Sequence, residues 1–156
     1  MRPGLTWALV GLAVVVITAL GAWNLSLRSE LQSAQTGSRA LQGLIAAGAA
    51  GGTAVSLAGG TTAPLAHGIA VLHPSGSGYL VVTGLPAAAP GHVYEAWFIR
   101  SGEALPAGTF SIGQDGLGVL ATPAASGRLD ELAVTQEPAG GSTRPTGAIV
   151  LSGIPR

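Results

Sequence analysis

The chain contains no cysteine and no lysine among its 156 residues. Without cysteine there is no disulfide, no zinc–thiolate centre and no thiol nucleophile. The absence leaves the redox compartment open, because an exported domain with a sufficient core needs no bridge. All seven cations are arginine, seven acids balance them, and charged residues make up only 9% of the chain, against ~25% in average soluble domains. A net charge of zero offers no electrostatic basis for binding nucleic acid or an anionic membrane surface. Aromatics are also scarce, at 4%, so each buried one carries a large share of its core.

What is abundant is glycine and proline, 25 and 10 residues, and one long uncharged run. Leu5 to Trp23 contains no charge; about 19 helical residues at ~1.5 Å each cover roughly 29 Å, close to a hydrocarbon core of ~30 Å. Trp7 and Trp23 stand near its ends, where indoles favour the headgroup region. A cleaved signal peptide is the competing reading, with small residues at Ala19-Leu20-Gly21. The uncharged stretch continues to Leu27, long for a signal core of roughly 7–15 residues, and favours a retained anchor. Arg2 and the terminal amine precede the run, while Arg28 is balanced by Glu30 beyond it. That places residues 1–4 in the cytoplasm as a stub, residues 5–23 across the membrane, and the remainder outside the cell.

Residues 24–52 form a connector. Leu27, Leu31, Ala34, Leu41 and Leu44 recur at close to three-four spacing and predict a short amphipathic juxtamembrane helix. The same stripe allows brief, weak pairing with a second copy, although a solvated stalk is the simpler reading. Ile45 to Gly52 is rich in alanine and glycine and reads as a hinge.

From Thr53 to Arg156 the period changes to two and breakers become frequent. Strands are expected at Thr53–Ala58, Gly68–Leu72, Gly78–Thr83, His92–Arg100, Leu105–Ile112, Gly118–Thr122, Glu131–Gln136 and Ala148–Ser152. About seven or eight short strands separated by turn residues predict an all-β fold, a small antiparallel β-sandwich. His92–Arg100 reads as its central strand, with Val93, Glu95, Trp97 and Ile99 on one side and Tyr94, Ala96 and Phe98 on the other. Tyr94, Trp97, Phe98 and Phe110 are the expected structural core, led by Trp97 and Phe98. Asp115-Gly116 predicts a hairpin turn.

The segment Glu137-Pro138-Ala139-Gly140-Gly141-Ser142 reads as a loop that folds back on itself. Proline pushes Glu137 toward extended geometry, and Gly140-Gly141 permits the reversal. Glu137 is therefore a loop clamp, its carboxylate accepting the glycine amides, or alternatively a ligand contact together with Gly140 and Gly141.

Catalytic chemistry finds little support. No serine lies in a Gly-x-Ser-x-Gly setting, and no phosphate-binding glycine pattern occurs. His67, His73 and His92 are the only imidazoles. A two-histidine site with Glu95 or Asp130 would lack any fixed ligand spacing, and turn-edge histidines in solvent are the simpler reading. No catalytic, metal or cofactor residues are assigned, and the chain is not expected to be an enzyme.

Four segments, however, occur in a telling order: Tyr94-Glu95-Ala96-Trp97, then Ala107-Gly108-Thr109-Phe110, then Thr135 to Ser142, then Pro145-Thr146-Gly147. From about Leu80 to Gly153 this resembles the extracytoplasmic C-terminal domain of anti-sigma-K-type factors. The resemblance implies a single-pass membrane protein whose outer β domain regulates sigma-factor-dependent transcription through protein contacts and regulated proteolysis by an envelope protease. Members of that family bind the sigma factor through an N-terminal cytoplasmic domain. With four residues ahead of Leu5, the sigma factor would be reached only through a cytoplasmic domain missing here or carried on a separate subunit. The alternative is a membrane-tethered envelope module that binds a small ligand or a cell-wall component.

Overall fold

The computed structural model describes residues 51–155 and, in the segment before them, Gln42, Gly43, Ile45, Ala46, Gly48 and Ala49. The expected span at residues 5–23 and most of the connector lie outside the described residues. Among the described residues no helix is long and apolar enough to cross a membrane. The six described residues before Gly51 are helical. Ile45, Ala46, Gly48 and Ala49, within the stretch read as a hinge, are helical; alanine, the strongest helix former, offsets the interspersed glycines.

The remainder is all-β and antiparallel. Eight strands follow in order: β1 (Thr53–Gly59), β2 (His67–Leu72), β3 (Gly78–Thr83), β4 (His92–Arg100), β5 (Glu103–Phe110), β6 (Leu117–Thr122), β7 (Glu131–Pro138) and β8 (Ile149–Gly153). They form one sheet in the order β5-β4-β7-β8-β1-β2-β3-β6. The expected two-sheet sandwich is corrected to a single curled, nearly closed sheet. The cause is β8, which offers one edge to β7 and the other to β1 and so makes the sheet continuous. The seam is narrow: β8 meets β1 only at Ala58↔Ser152 and Gly59↔Leu151. Four strands lie on either side of it, and their inner faces share one apolar cluster that includes Leu57, Leu72, Leu80, Val82, Phe98, Leu132 and Leu151. The two edge strands, β5 and β6, are consecutive in sequence, and an isolated bridge, Ile112↔Gly118, closes the connection between them.

Alternation along β4 explains both of its coverings. Tyr94, Ala96 and Phe98 enter the common core, where the Tyr94 ring stacks on Phe110 with centroids 5.8 Å apart. The Tyr94 hydroxyl leaves the apolar region to donate to Pro86 O at 3.1 Å, as a buried phenol must find an acceptor. Trp97 is fully buried too, but it is not part of that cluster. It lies on the outer face of the sheet with Glu95, so Trp97 and Phe98 serve two different interiors. A β-bulge beside Ala96/Trp97 interrupts the β4–β5 register. The β4–β5 turn is tight: Ser101 (φ +49) and Gly102 (φ +80) reverse the chain, and the Ser101 amide donates to Asp130 Oδ2 at 2.5 Å.

Candidate functional site

The second interior is built where β4 and β7 run side by side. Their pairing sets Glu95 opposite Thr135, Val93 opposite Glu137 and Trp97 opposite Ala133. Residues 138–147 leave the end of β7, cross the outer face and return at β8. Gly140 and Gly141 take φ of +98° and +81°, a region that disfavours L side chains. The reversal is closed by Gly141 N–H donating to Pro138 O at 2.9 Å, and it is tied to the residue just ahead of β4 by Ala139 N–H donating to Gly91 O at 2.8 Å. Gly141 sits directly over β4 and β5: a Cβ placed there would lie 3.0 Å from both Glu95 Oε2 and Thr109 Cγ2.

Beneath the loop runs a continuous chain of hydrogen bonds. The Trp97 indole N–H donates to Thr135 Oγ1 at 2.8 Å, and the Thr135 hydroxyl donates to Glu137 Oε1 at 2.5 Å. Glu137 also accepts the Ser142 hydroxyl at 2.8 Å, the Thr146 amide at 2.9 Å, the Gly147 amide at 3.2 Å and the Thr146 hydroxyl. Glu95 accepts the Ser142 amide at 2.7 Å. Two carboxylates on neighbouring strands thus hold one loop: both bind Ser142, Glu95 through its amide and Glu137 through its hydroxyl, and Glu137 also holds the far limb at Thr146 and Gly147. The amides on Glu137 are those of Thr146 and Gly147. The glycine amides expected there are not the donors: Gly141 turns its N–H onto Pro138, and the carboxylate meets the far limb of the loop instead.

Glu95 and Glu137 are both buried, at 3% and 0% exposure, yet they respond in opposite directions. Burial pushes the Glu137 carboxyl up, but hydrogen bonds from the Thr135 and Thr146 hydroxyls and the Thr146 and Gly147 amides outweigh it. The result is a carboxyl lowered from 4.5 to about 2. Burial raises Glu95, the Ser142 amide opposes that, and the nearby charge of Glu137 adds to the rise; the net shift is upward. The difference follows from donor number. Five donor groups from four residues approach Glu137, against the roughly four lone-pair sites that a carboxylate offers. So many donors hold this carboxyl in its ionised form.

The other candidate residues are dispersed. His67 begins β2 at the surface, His92 Nδ1 lies 3.1 Å from Pro90 O, and His73 Nδ1 faces the Ser75 hydroxyl and amide. Among the described residues no three His, Cys, Asp or Glu side chains stand close enough to hold a metal. An open groove of about 620 Å³ lies at the narrow seam, lined by Ala54, Ser56, Glu131, Ser152, Gly153 and Ile154. Sequence reasoning missed this groove and the part played by Glu95. Only the outward phase of Glu95 on a strand with apolar neighbours on both faces hinted at the latter.

A family model described as anti-sigma-K factor rskA, C-terminal, matches residues 7–149. The match takes in the apolar N-terminal run, the connector, and every strand up to the start of β8, with the whole Glu137 loop inside it. The chain has no match among curated proteins.

Proposed function

Because this chain belongs to the anti-sigma-K factor RskA C-terminal family, we propose that it is the extracytoplasmic regulatory module of a membrane-anchored anti-sigma system. It governs sigma-factor-dependent transcription by contacts with other proteins and by controlling access of an envelope protease to the chain. The observation that carries the reading is the extent of the match, residues 7–149, which joins the apolar run and the β domain in one unit. Within that unit Glu137 is a clamp: its bonds to residues 142, 146 and 147 hold the loop in one shape and leave Thr143, Arg144 and Pro145 outward as a contact surface. Residues 5–23 are the anchor, with the N-terminus in the cytoplasm, and the sigma factor is engaged by a cytoplasmic domain or partner subunit.

The test is genetic and biochemical together. Deleting the coding segment is expected to change transcription from promoters of one alternative sigma factor, and the tagged chain is expected to co-purify with the sigma-binding component. Unchanged transcription from every alternative sigma-factor promoter, with no such component recovered, would remove the reading.

The groove at the β8–β1 seam supports a second reading, an envelope module that binds a small polar ligand. Its volume of about 620 Å³ falls in the ligand-pocket range of ~300–1,000 Å³, and Ser56, Ser152 and Glu131 supply hydroxyls and one carboxylate. A rise in melting temperature with cell-wall fragments that is abolished by Glu131→Ala would favour it.

A further inference from the structure

The seam between β8 and β1 is zipped at one end only. Their register holds at Ala58↔Ser152 and Gly59↔Leu151, and it continues just beyond β1, where Gly60 N–H donates to Val150 O at 2.8 Å. A strand turns the N–H and C=O groups of alternate residues to opposite edges. Gly60 and Ala58 therefore face β8, and so do Ser56 and Ala54 further back along β1. The Ser56 carbonyl agrees, since a Cβ built on Gly153 would strike its oxygen. The same register calls for a rung between Ser56 and Ile154, and that rung is not formed. β8 ends at Gly153, and Pro155 lacks the N–H with which the chain would stay on β7. The groove at this seam is the space beside the missing rung, with Ala54 and Ser56 on one wall and Ser152, Gly153 and Ile154 on the other.

We propose that this open length of β1 receives an extended peptide of a partner protein as an added antiparallel strand. The peptide pairs with the backbone of Ala54 and Ser56 and sets an apolar side chain between Ile69 and Ile154. The occupant is named by the chemistry of the edge. Two N–H donors and two C=O acceptors repeat there at the spacing of alternate strand residues, roughly 6.7 Å, and another extended backbone is the complement of that row. The direction follows the other pairings of β1 and β8, all antiparallel. The side-chain preference follows from the outer face. Ile69 is the partner of Ser56 on β2, and it is 56% exposed; Ile154, on the opposite wall, is 69% exposed. A peptide residue set opposite Ser56 projects to the same face as Ser56, so an isoleucine or valine there covers both. Nor is the edge guarded, because Thr53–Gly59 contains neither proline nor a charged residue. The inference deepens the reading of contacts with other proteins and rests on it for the partner's place in the cell; the strand addition stands on the geometry alone.

The probe is the acetylated and amidated peptide Thr-Ile-Thr-Ile-Thr. Its control is the same peptide N-methylated at both isoleucines, which keeps the side chains and removes the N–H groups turned toward β1. Each is titrated into the isotope-labelled full chain in detergent, and amide hydrogen exchange is read residue by residue. In the free chain the amides of Ala54 and Ser56 are expected to exchange freely, while those of Val55 and Leu57, turned to β2, are protected. The unmethylated peptide is expected to slow exchange at Ala54 and Ser56 by about tenfold and leave Val55 and Leu57 as they were. The methylated control is expected to slow neither. Ala54→Pro removes a donor that faces the seam and no rung to β2, and it is expected to abolish the slowing at Ser56. Ile69→Ser, at an exposed position, is expected to weaken binding with the rest of the amide spectrum unchanged, and it serves if the proline variant does not fold. Protection of Ala54 and Ser56 in the free chain, or no slowing with the peptide, would overturn the proposal. Equal binding of the methylated control would also overturn it and would favour a side-chain or small-ligand site. None of these results touches the anti-sigma reading, which is read separately by transcription.

Discussion

Trp97 and Glu137 share one hydroxyl: Thr135 Oγ1 accepts the indole N–H at 2.8 Å and donates to the carboxylate at 2.5 Å. The largest aromatic side chain of the domain is thereby coupled to the group that holds the 138–147 loop. Thr135→Val keeps the shape but removes both bonds and leaves a buried N–H without a partner. A loss of about 1–3 kcal/mol is expected, measured by urea unfolding with Trp97 emission in a Trp7→Phe/Trp23→Phe background. Combined with Glu137→Gln, the losses are expected to be less than additive, because both substitutions break the same chain of bonds.

Glu137→Ala is expected to be more damaging than Glu137→Gln. Alanine leaves the Thr146 and Gly147 amides and three hydroxyls facing a void, a cost on the order of 3 kcal/mol or more. Glutamine keeps a carbonyl oxygen for the two amides, and the hydroxyls can rotate to accept from its NH₂, so a loss of about 1–2 kcal/mol is expected. The same unfolding experiment ranks them. Equal losses would mean that the charge, and not the set of donors, sets the value of the clamp.

Much of this was legible in the chain because it is local. The alternation of His92–Arg100 assigned the two faces of β4 correctly, and Glu137 before proline with two glycines following marked a loop that closes on a carboxylate. What was not legible is non-local. Glu95 meets Ser142 across 47 positions, a separation that strand periodicity does not constrain. The amides on Glu137 come from residues 146 and 147 because the loop is long enough for its far limb, and not its turn, to reach back. Nor can period-two patterning distinguish two sheets from one. The difference here rests on two residue pairs between β1 and β8. Trp97 and Phe98, neighbours on β4, are both buried, but on opposite faces of the strand.

Gly140 and Gly141 offer a comparison within two residues. Both have positive φ, but a Cβ at Gly140 would meet open space, whereas one at Gly141 would press on Glu95 and Thr109. Gly140→Ala is expected to cost about 1 kcal/mol from the backbone alone. Gly141→Ala adds the contact with the sheet, so about 2–3 kcal/mol is expected, with faster amide exchange at Ser142. Equal costs would show that the loop is not seated on Glu95.

The two carboxylates predict a stability profile with opposing limbs. Glu137 has a folded value of about 2 against 4.5, so its contribution is fully present above the unfolded value. It disappears as pH falls from roughly 4.5 to 2, and the shift corresponds to about 3 kcal/mol. Glu95 is shifted the other way: its folded value lies above 4.5, so the folded state binds its proton more readily than the unfolded state. Stability is therefore expected to rise as pH falls from neutral through the folded value of Glu95, and then to drop as Glu137 is protonated. Melting temperature read across pH 2–8 should show a maximum on the mildly acidic side. Glu95→Gln should flatten the neutral limb and leave the acid limb in place, whereas Glu137→Gln should remove the Glu137 share of the acid loss. It should also weaken the neutral limb, because part of the upward shift of Glu95 comes from the charge of Glu137. A neutral limb unchanged in Glu137→Gln would assign the whole Glu95 shift to burial and separate the two carboxylates electrostatically, although one loop binds both.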